Sequence, residues 1–295
     1  MSKILLAGAT GYLGGYLLQE LIRRNIPTRA IVRSPRKLAS ISADPDLLEV
    51  KSAEVTQPES ISGCCEGVDT LISSVGITRQ KDGLTYMDVD YQANLNLLRE
   101  AQRAGVKKFV YVSVLNGDQM RDLAICEAKE KFVDELKASG LEYCIVRPNG
   151  FFSDMAEFLQ MAKSGRVYLF GKGNLKINPI HGADLAVACV DQIEGNAQEL
   201  EIGGPETFTQ DEIAEVAFKA IGKEPKIMHL PDWIRRTVLG MGKAFMSKAK
   251  YGPFEFFLTA MALEMEAPEY GEHTLLSFYQ ELESATTQTS SPASA

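Results

Sequence analysis

The 295-residue chain lacks several features that mark particular classes of protein. It has no apolar run of about 18 residues, the length that a membrane-spanning helix needs, so no span is predicted. Its first residues lead directly into an apolar strand pattern, without the hydrophobic region and cleavage site of a secretory signal. These absences predict a cytoplasmic protein.

Metal-binding and disulfide patterns are missing as well. The three histidines lie far apart in the sequence, and the number of cysteines is odd. Neither the spacing of a zinc site nor a redox C-x-x-C pair occurs among Cys64, Cys65, Cys126, Cys144 and Cys189. No metal is expected, and a reducing compartment is the simplest interpretation.

Basic charge is not concentrated in any part of the chain. The net charge is −8, and no basic tract dominates a segment. This composition argues against a nucleic-acid-binding surface. The expected ligand is therefore a small molecule rather than a nucleic acid.

The first half of the chain alternates short apolar runs with stretches of helical periodicity. Strands are predicted at 4–7, 29–32, 48–52, 68–75, 108–113 and 143–147, with helices at 12–24, 91–104 and 127–138. Short apolar runs separated by helices are typical of a parallel sheet that is covered on both faces. The predicted fold class is α/β: a Rossmann-type, doubly wound parallel sheet of six or seven strands with a smaller C-terminal substrate lobe.

A glycine-rich turn joins the first predicted strand to the first predicted helix. It consists of Gly8, Ala9, Thr10, Gly11, Tyr12, Leu13 and Gly14. In this context the first glycine permits a tight turn, and the second leaves room for a pyrophosphate. The third lets the helix pack closely on the strand, and the helix N-terminus attracts the phosphates. The motif predicts a dinucleotide-binding site made by these seven residues.

The end of the second predicted strand bears on the choice between NADP(H) and NAD(H). NAD-binding domains usually place an acidic residue there, which binds the ribose 2′-hydroxyl. This chain has Arg33 instead, followed by Arg36 and Lys37. A guanidinium can bind a 2′-phosphate through two hydrogen bonds, whereas an acid would repel it. NADP(H) is the expected cofactor and NAD(H) the less favoured one; the alternative is that these three residues are solvated loop cations.

Two further groups of cofactor-contacting residues are expected where predicted strands end. Ligands of open α/β sheets bind outside the carboxyl ends of the strands. The residues at these positions are Ser74, Val75, Gly76, Pro148, Asn149 and Gly150. The first three are expected to line the ribose and nicotinamide, and the last three to close over the nicotinamide.

The periodic pattern loosens after Pro148, which suggests a division of the chain. An NAD(P)-binding domain is predicted at residues 1–150 and a substrate or lid lobe, interleaved with the sheet, at 151–284. Residues 285–295, rich in Ser, Thr and Ala, are predicted to be a disordered tail.

Several segments resemble the atypical short-chain dehydrogenases/reductases, especially their NmrA-like and complex I accessory-subunit-like branches. Besides the glycine-rich opening, the matching segments are 105–113 (GVKKFVYVS), 138–148 (ASGLEYCIVRP), 180–184 (IHGAD) and 201–212 (EIGGPETFTQDE). The resemblance extends over about residues 3–223. It implies a Rossmann-type fold, a nicotinamide cofactor and oxidoreductase chemistry.

The resemblance also implies catalytic positions, one of which is changed in this chain. Standard members have a Ser at the end of the fifth strand and a Tyr-x-x-x-Lys pair on the next helix. Ser113 matches the Ser and Lys129 the Lys, but Ile125 stands where the proton-donating Tyr belongs. An alternative register takes Lys131 as the family lysine and puts Glu127 at the tyrosine position. The tyrosine is missing in either register.

The missing tyrosine leaves competing functional hypotheses. The first is an NADPH-dependent reductase of a small apolar carbonyl or enone substrate. Ser113 would polarise the acceptor, and Lys129 would bind the ribose or supply the proton with a depressed pKa, as in isoflavone-reductase-like relatives. The second is a non-catalytic NADP(H)-binding redox sensor or complex-assembly protein. A sugar-nucleotide epimerase is least favoured, because such relatives also need the tyrosine.

Residues 232–251 combine large apolar side chains with five cations. A basic amphipathic helix of this kind is typical of a lid that packs on its own domain. It also occurs on surfaces that lie on a membrane or against a partner protein. The lid is favoured, because the apolar positions do not form a sharply separated stripe.

Overall fold

The computed structural model describes residues 3–39, 41, 43–77 and 83–290. The strands are β1 (Ile4–Ala7), β2 (Thr28–Val32), β3 (Leu48–Ser52), β4 (Thr70–Ser73), β5 (Lys108–Val112), β6 (Glu142–Pro148), β7 (Val167–Phe170), β8 (Lys176–Ile177), β9 (Glu199–Ile202), β10 (Phe208–Thr209) and β11 (Ile227–Leu230). The α-helices are α1 (Tyr12–Arg23), α2 (Asn94–Ala104), α3 (Ala124–Lys137), α4 (Phe152–Lys163), α5 (Gly182–Asp191), α6 (Gln210–Ala220), α7 (Asp232–Phe245), α8 (Lys248–Ala260) and α9 (Leu275–Ser290). A π-helical segment, Met87–Ala93, leads into α2.

The central sheet confirms the predicted doubly wound fold. Its seven strands lie in the order β3-β2-β1-β4-β5-β6-β9, and the pairings from β3 to β6 are parallel. The inner strands β1, β4 and β5 are buried along their whole length because helices cover both faces, and every residue of β1 is 0% exposed. The chain order reverses between β1 and β4, the place where open α/β sheets bind ligands.

The chain divides into two compact units. Unit 1, which contains most of the sheet, comprises Met1–Arg147, Leu185–Glu201 and Ser247–Phe256. Unit 2 comprises Pro148–Asp184, Ile202–Met246 and Phe257–Ala295. The predicted division at residue 150 stays a prediction, because compact units need not be independent domains.

In unit 2, β7 pairs in parallel with β11, and β8 pairs antiparallel with β10. Helix α6 begins with a capping box, in which the side chains of Thr209 and Glu212 each accept a hydrogen bond from the other's backbone amide. Helix α9 is held by Tyr279, which is fully buried and donates from its hydroxyl to the carbonyl of Met155 over 2.7 Å. Within the described residues, none of the helices has both the length and the apolar character needed to span a bilayer.

Two predicted boundaries near the C-terminus are wrong. Helix α9 continues to Ser290, so residues 285–290 are not part of a disordered tail; residues 291–295 lie outside the described chain. Once the buried first turns of α9 have formed, each added residue costs little, even among Ser and Thr. The predicted helix after Asp232 ends at Phe245, since Met246 has an extended backbone (φ −88°, ψ 150°), and α8 follows as a separate helix.

Candidate cofactor and active site

The glycine turn between β1 and α1 has the geometry of a phosphate-binding turn. Gly8 has φ +92°, and a Cβ there would lie 2.7 Å from the Ser74 hydroxyl. A Cβ at Gly14 would overlap the carbonyl oxygen of Gly8, so α1 packs on the turn only because this position lacks a side chain. Gly11 is exposed, and a Cβ there would meet only the Gly8 carbonyl oxygen, at 3.3 Å. The missing Cβ of Gly11 therefore leaves space for a ligand rather than for the protein.

The other residues of the turn alternate between core and surface. Ala9 and Leu13 are buried, whereas Thr10 and Tyr12 are exposed. No acidic residue occurs in the first turn of α1, so nothing there opposes an anion at the positive end of the helix. The turn fits a pyrophosphate, and contact of the seven predicted residues with it stays a prediction.

The three predicted 2′-phosphate ligands lie together after β2. Arg33 follows the last residue of the strand, and Arg36 and Lys37 lie on a short 3₁₀ turn, Pro35–Leu38. All three side chains are exposed. Their grouping at a strand end is compatible with the predicted role, which stays a prediction.

The segment after β4 is held by a buried asparagine. Asn94 accepts a hydrogen bond from Ser73 (2.6 Å) and donates to the carbonyls of Val75 (3.2 Å) and Asp90 (2.9 Å). Asn94 is not one of the predicted site residues, but its amide fixes the path of Ser74, Val75 and Gly76. Ser74 in turn donates to the carbonyl of Ala7, over 3.3 Å, which ties this segment to the glycine turn.

Lys129 and Gly76, predicted separately, come together around a buried carboxylate. The Lys129 ammonium lies 3.2 Å from Oδ1 of Asp90, and the Asp90 side chain is 0% exposed. Oδ2 of Asp90 accepts from the amide of Ile77 over 3.1 Å. A Cβ at Gly76 would lie 2.7 Å from Asp90 Oδ1 and 3.3 Å from Lys129 Nζ, so the ion pair sits directly against this glycine. Asp90, which no motif indicated, is therefore part of the site.

The ion pair determines the protonation of both groups. Burial raises the pKa of Asp90, and the charge of Lys129 acts in the opposite direction. Burial by itself would lower the pKa of Lys129, but interactions with Tyr111 and Asp90 outweigh it and hold this pKa above its ordinary value. The expected depressed pKa of Lys129 is therefore wrong, because the sequence does not reveal the buried counterion. Near neutral pH the group is an ammonium.

Ser113 follows Val112, whose carbonyl accepts from Lys129 over 3.4 Å, but the Ser113 hydroxyl bonds a different carboxylate. Its hydroxyl donates to Oε1 of Glu130 over 2.9 Å. Arg147 donates to both oxygens of Glu130, at 2.7 and 3.0 Å, so the serine belongs to a buried ionic network. Polarisation of a substrate by Ser113 would require this hydroxyl proton to change partner, and the role stays a prediction.

Two buried tyrosines lie near the ion pair, Tyr86 and Tyr111, and the hydroxyl of Tyr86 lacks a hydrogen-bond partner among the described residues. Tyr111 is fully buried, with the Lys129 ammonium 5.5 Å from its ring centre. Tyr86 is 5% exposed and starts the helical stretch that carries Asp90. Burial, together with the charge of Asp90, raises the pKa of Tyr86 to about 12. An unpaired buried hydroxyl next to a predicted active site indicates a ligand-binding position.

Tyr86 supplies a phenol close to the helix that lacks one. Ile125, at the family tyrosine position, precedes Lys129 by one turn of α3 and is half-buried. Tyr86 comes from a different element, the start of the stretch that includes the π-helical segment Met87–Ala93. π-Helical turns are rare and often occur at functional sites. Tyr86 could not be predicted from the sequence, because it follows neither a strand end nor a family motif.

The predicted residues after β6 belong to unit 2. Pro148 is the last residue of β6. Asn149 is buried and donates to the carbonyls of Asn178 and Met265, both at 2.8 Å. A Cβ at Gly150 would lie 3.5 Å from Ile177, an ordinary contact. The amide of Asn149 thus holds unit 2 together, and contact of these three residues with a nicotinamide stays a prediction.

One group of possible metal ligands occurs in the described part of the chain. Atoms of Cys64, Cys65 and Glu100 lie within 4.8 Å of one another. The carboxylate of Glu100 already accepts from Arg103 through two bonds of 2.8 Å and from the amide of Gly63. These hydrogen bonds satisfy the Glu100 carboxylate without a metal ion. The expectation of no metal site stays a prediction.

Comparisons with known proteins agree with this geometry. A family model described as NAD(P)H-binding matches residues 8–195. Divinyl chlorophyllide a 8-vinyl-reductase, chloroplastic, of Arabidopsis thaliana is 31% identical, over 92% of this chain and 72% of that protein. Photosystem II assembly factor Ycf39 of Synechocystis sp. is 25% identical, over 82% of this chain and 75% of that protein. The cytoplasmic location expected for this chain stays a prediction, since the Arabidopsis relative is chloroplastic.

A solved structure shows the same fold. The NADPH-dependent quinone oxidoreductase QOR2 of Escherichia coli, complexed with NADPH, has a TM-score of 0.71 and 21% identity, over 95% of this chain and 99% of that one. The sheet order and the glycine turn agree with the resemblance seen in the sequence. The chain is a nicotinamide-cofactor-binding protein and belongs to the NAD(P)H-binding family of atypical, NmrA-like short-chain dehydrogenases/reductases.

Proposed function

We propose that this chain is an NADPH-dependent reductase of a carbon–carbon double bond conjugated to an apolar π-system. The observation that carries the proposal is the Lys129 ammonium, held by buried Asp90 directly against Gly76. The 31% identity with a vinyl reductase over 92% of the chain supports this class of substrate. Apolar carbonyls and enones were the substrates expected from the sequence. Among these, the identity with a vinyl reductase favours substrates that contain a reducible alkene.

The residues that would hold the cofactor are the glycine turn and Arg33. Gly11 leaves open space beside the first turn of α1, which fits a pyrophosphate. Arg33, at the end of β2, supports NADPH over NADH, because a guanidinium attracts the 2′-phosphate that an acid would repel. When bound, NADPH supplies a hydride.

Lys129 is the proposed proton donor. A double bond that gains a hydride at one carbon must gain a proton at the neighbouring carbon. The Lys129 ammonium can release this proton, and its side chain is 13% exposed, so that water can replace the proton afterwards. Tyr86, whose buried hydroxyl has no described partner, is the second group able to donate near this position.

The absence of a tyrosine at position 125 is compatible with this chemistry. Carbonyl reduction concentrates negative charge on one oxygen, which the family tyrosine protonates. Hydride addition to a conjugated alkene spreads the charge over the π-system instead. A nearby ammonium stabilises such a delocalised charge without a phenol at a fixed point. Ile125 therefore changes the preferred acceptor and need not abolish reduction.

The test is steady-state NADPH oxidation with divinyl chlorophyllide a and a panel of enones. We expect turnover of at least one acceptor, and a decrease in kcat of about 100-fold or more in Lys129→Met. The matched control is Lys131→Met on the same helix, whose side chain is exposed and stacks on Tyr91. This control should remain within about twofold of the wild type. Equal activity of the Lys129→Met and Lys131→Met variants would contradict the role of Lys129.

A second candidate function is NADP(H) binding without catalysis, in a sensor or assembly protein. The observation that favours it is the hydrogen bond of Ser113 to Glu130, together with Ile125, which leaves two family catalytic positions without their usual role. The 25% identity with an assembly factor agrees with it. Tight NADPH binding with no oxidation across the whole acceptor panel would support this function over the reductase.

A further inference from the structure

Helix α7 exposes an unusual row of large apolar side chains. Trp233 is 65% exposed, Met241 57% and Phe245 84%. At 100° per residue these three positions fall within one third of the helix circumference. Thr237 and Ala244, both exposed, lie in the same sector. The apolar row therefore faces solvent and not the protein.

The opposite side of α7 holds the helix on unit 2. Gly242 is buried, and Val238 and Leu239, on either side of it around the helix, are half-buried. Arg235 donates from Nη1 to the carbonyl of Leu258 over 3.5 Å, and α7 also contacts β7. Because this side already anchors the helix, the exposed apolar row is not needed for packing.

Cations flank the apolar row along one side. Arg236 and Lys243 are seven residues apart, so both project at nearly the same angle, next to Trp233. Both side chains are exposed; Arg236 also pairs with Asp232, its Nε 2.8 Å from Oδ2, and Asp232 is shared with Arg235, so these three residues together carry a charge of +1. The chain as a whole has a net charge of −8, so this cationic flank differs in sign from the protein average. Exposed apolar residues bordered by cations are typical of helices that lie in the interface of an anionic membrane.

The size of the apolar row favours a lipid surface over a protein partner. Large side chains of this kind cover about 150–250 Å² each when fully buried, so three partly exposed ones offer roughly 400 Å². A stable protein interface needs about 800 Å² per partner. Single side chains that project from a helix can insert between lipids without a matching surface, and the flanking cations then meet the headgroups.

We propose that α7 is a membrane-docking helix, which inserts Trp233, Met241 and Phe245 into the surface of an anionic bilayer with Arg236 and Lys243 at the headgroups. The helix would lie in the plane of the surface and would not cross the bilayer. Such a position would suit a reductase of large apolar substrates, but the proposal does not depend on the proposed function.

The chain contains its own probe for this proposal, because Trp233 is its single tryptophan. The full-length protein would be titrated with vesicles of phosphatidylglycerol and phosphatidylcholine in equal parts. We expect the emission of Trp233 to shift to shorter wavelength and to be quenched by brominated lipid chains. With pure phosphatidylcholine the affinity should be lower, and added salt should weaken binding to the anionic vesicles.

Matched variants separate the apolar and the cationic contributions. Phe245→Ser with Met241→Ser should weaken vesicle binding about tenfold or more, because the inserted area is lost. Met228→Ser, which removes a methionine that is 38% exposed on β11, is the control and should have no effect. Arg236→Gln with Lys243→Gln should weaken binding to anionic vesicles only.

Several outcomes would overturn the proposal. One is an unchanged Trp233 spectrum with anionic vesicles, and another is equal binding of the wild type and the Phe245→Ser, Met241→Ser double variant. A blue shift that needs no vesicles and grows with protein concentration would assign the row to contact between two copies of the chain. Since all substituted side chains are exposed, thermal unfolding of the variants should match the wild type, which separates loss of docking from loss of folding.

Discussion

At the scale of single residues, the pairing of Asp90 with Lys129 determines how the site responds to pH. The two groups lie 3.2 Å apart, and the pKa of Lys129 is held above its ordinary value. A raised pKa means that the ammonium, and any proton donation by it, persists as the pH rises past neutrality. Removal of the carboxylate takes away one of the two interactions that offset burial, so the pKa of Lys129 should fall.

The variant Asp90→Asn therefore tests the charge of Lys129. We expect its kcat to fall, as the pH rises, at a lower pH than in the wild type, because the pKa of Lys129 loses the contribution of the carboxylate. The measurement is kcat for NADPH oxidation against pH. Asp134→Asn, at an exposed partner of Arg121, is the matched control and should follow the wild-type profile. Superimposable profiles for Asp90→Asn and wild type would show that Asp90 does not act through Lys129.

Two residues near Lys129 were not predicted from the sequence, and the physical reason is the same for both. Asp90 and Tyr86 precede α2 and carry no motif, and their importance comes from burial beside Lys129. A weak signal was present: Asp90 is an acidic residue next to an amphipathic helix that packs on the sheet. Spacing along the chain could predict Gly76 and Lys129 separately, but it could not show that they share a carboxylate.

At the scale of elements, the glycine turn is the feature that sequence spacing predicted best. The reason is that the turn depends on local sterics: Gly8 needs φ +92°, and Gly14 has no room for a Cβ. Two adjacent glycines of α1 make this requirement testable. Gly14 packs on the Gly8 carbonyl, whereas a Cβ at Gly15 would have no atom within 4 Å.

We expect Gly14→Ala to lower the free energy of unfolding by about 2 kcal/mol or more, because α1 must move away from the turn. Gly15→Ala should leave stability unchanged or raise it by about 0.5–1 kcal/mol, since alanine favours the helix. Chemical denaturation without cofactor measures both. Equal stability of the two variants would mean that α1 does not pack on the turn as described.

The elements predicted less well depend on contacts between distant parts of the chain. Six of the seven strands of the central sheet were predicted within about two residues, because most are local apolar runs, whereas β9 was not predicted. The C-terminal boundaries were wrong because the extent of α9 depends on burial of Leu275 and Tyr279, both 0% exposed. Composition near residue 285 indicated disorder, but the helix already anchored upstream continues to Ser290.

At the scale of the whole molecule, cofactor binding should couple to stability. A ligand that binds only the folded chain adds about 2.7 kcal/mol at a concentration of 100 times its Kd. We expect NADPH to raise the midpoint of thermal unfolding more than NADH does at the same concentration. In Arg33→Asp this preference should disappear, because the acid repels the 2′-phosphate and accepts the 2′-hydroxyl. Arg99→Ala, at an exposed arginine of α2, is the control. An unchanged preference in Arg33→Asp would place the 2′-phosphate at other residues.

The sequence by itself determined the class of fold, the nicotinamide cofactor and the family. These depend on local patterns: apolar runs with helices between them, and glycines at fixed spacing where backbone and phosphate need room. Only the tertiary structure decided the state of the site. It brought Asp90 to Lys129, directed the Ser113 hydroxyl to Glu130, and left the apolar row of α7 in solvent. Burial and charge pairing arise between segments that are distant in the chain. Local sequence patterns therefore cannot predict them.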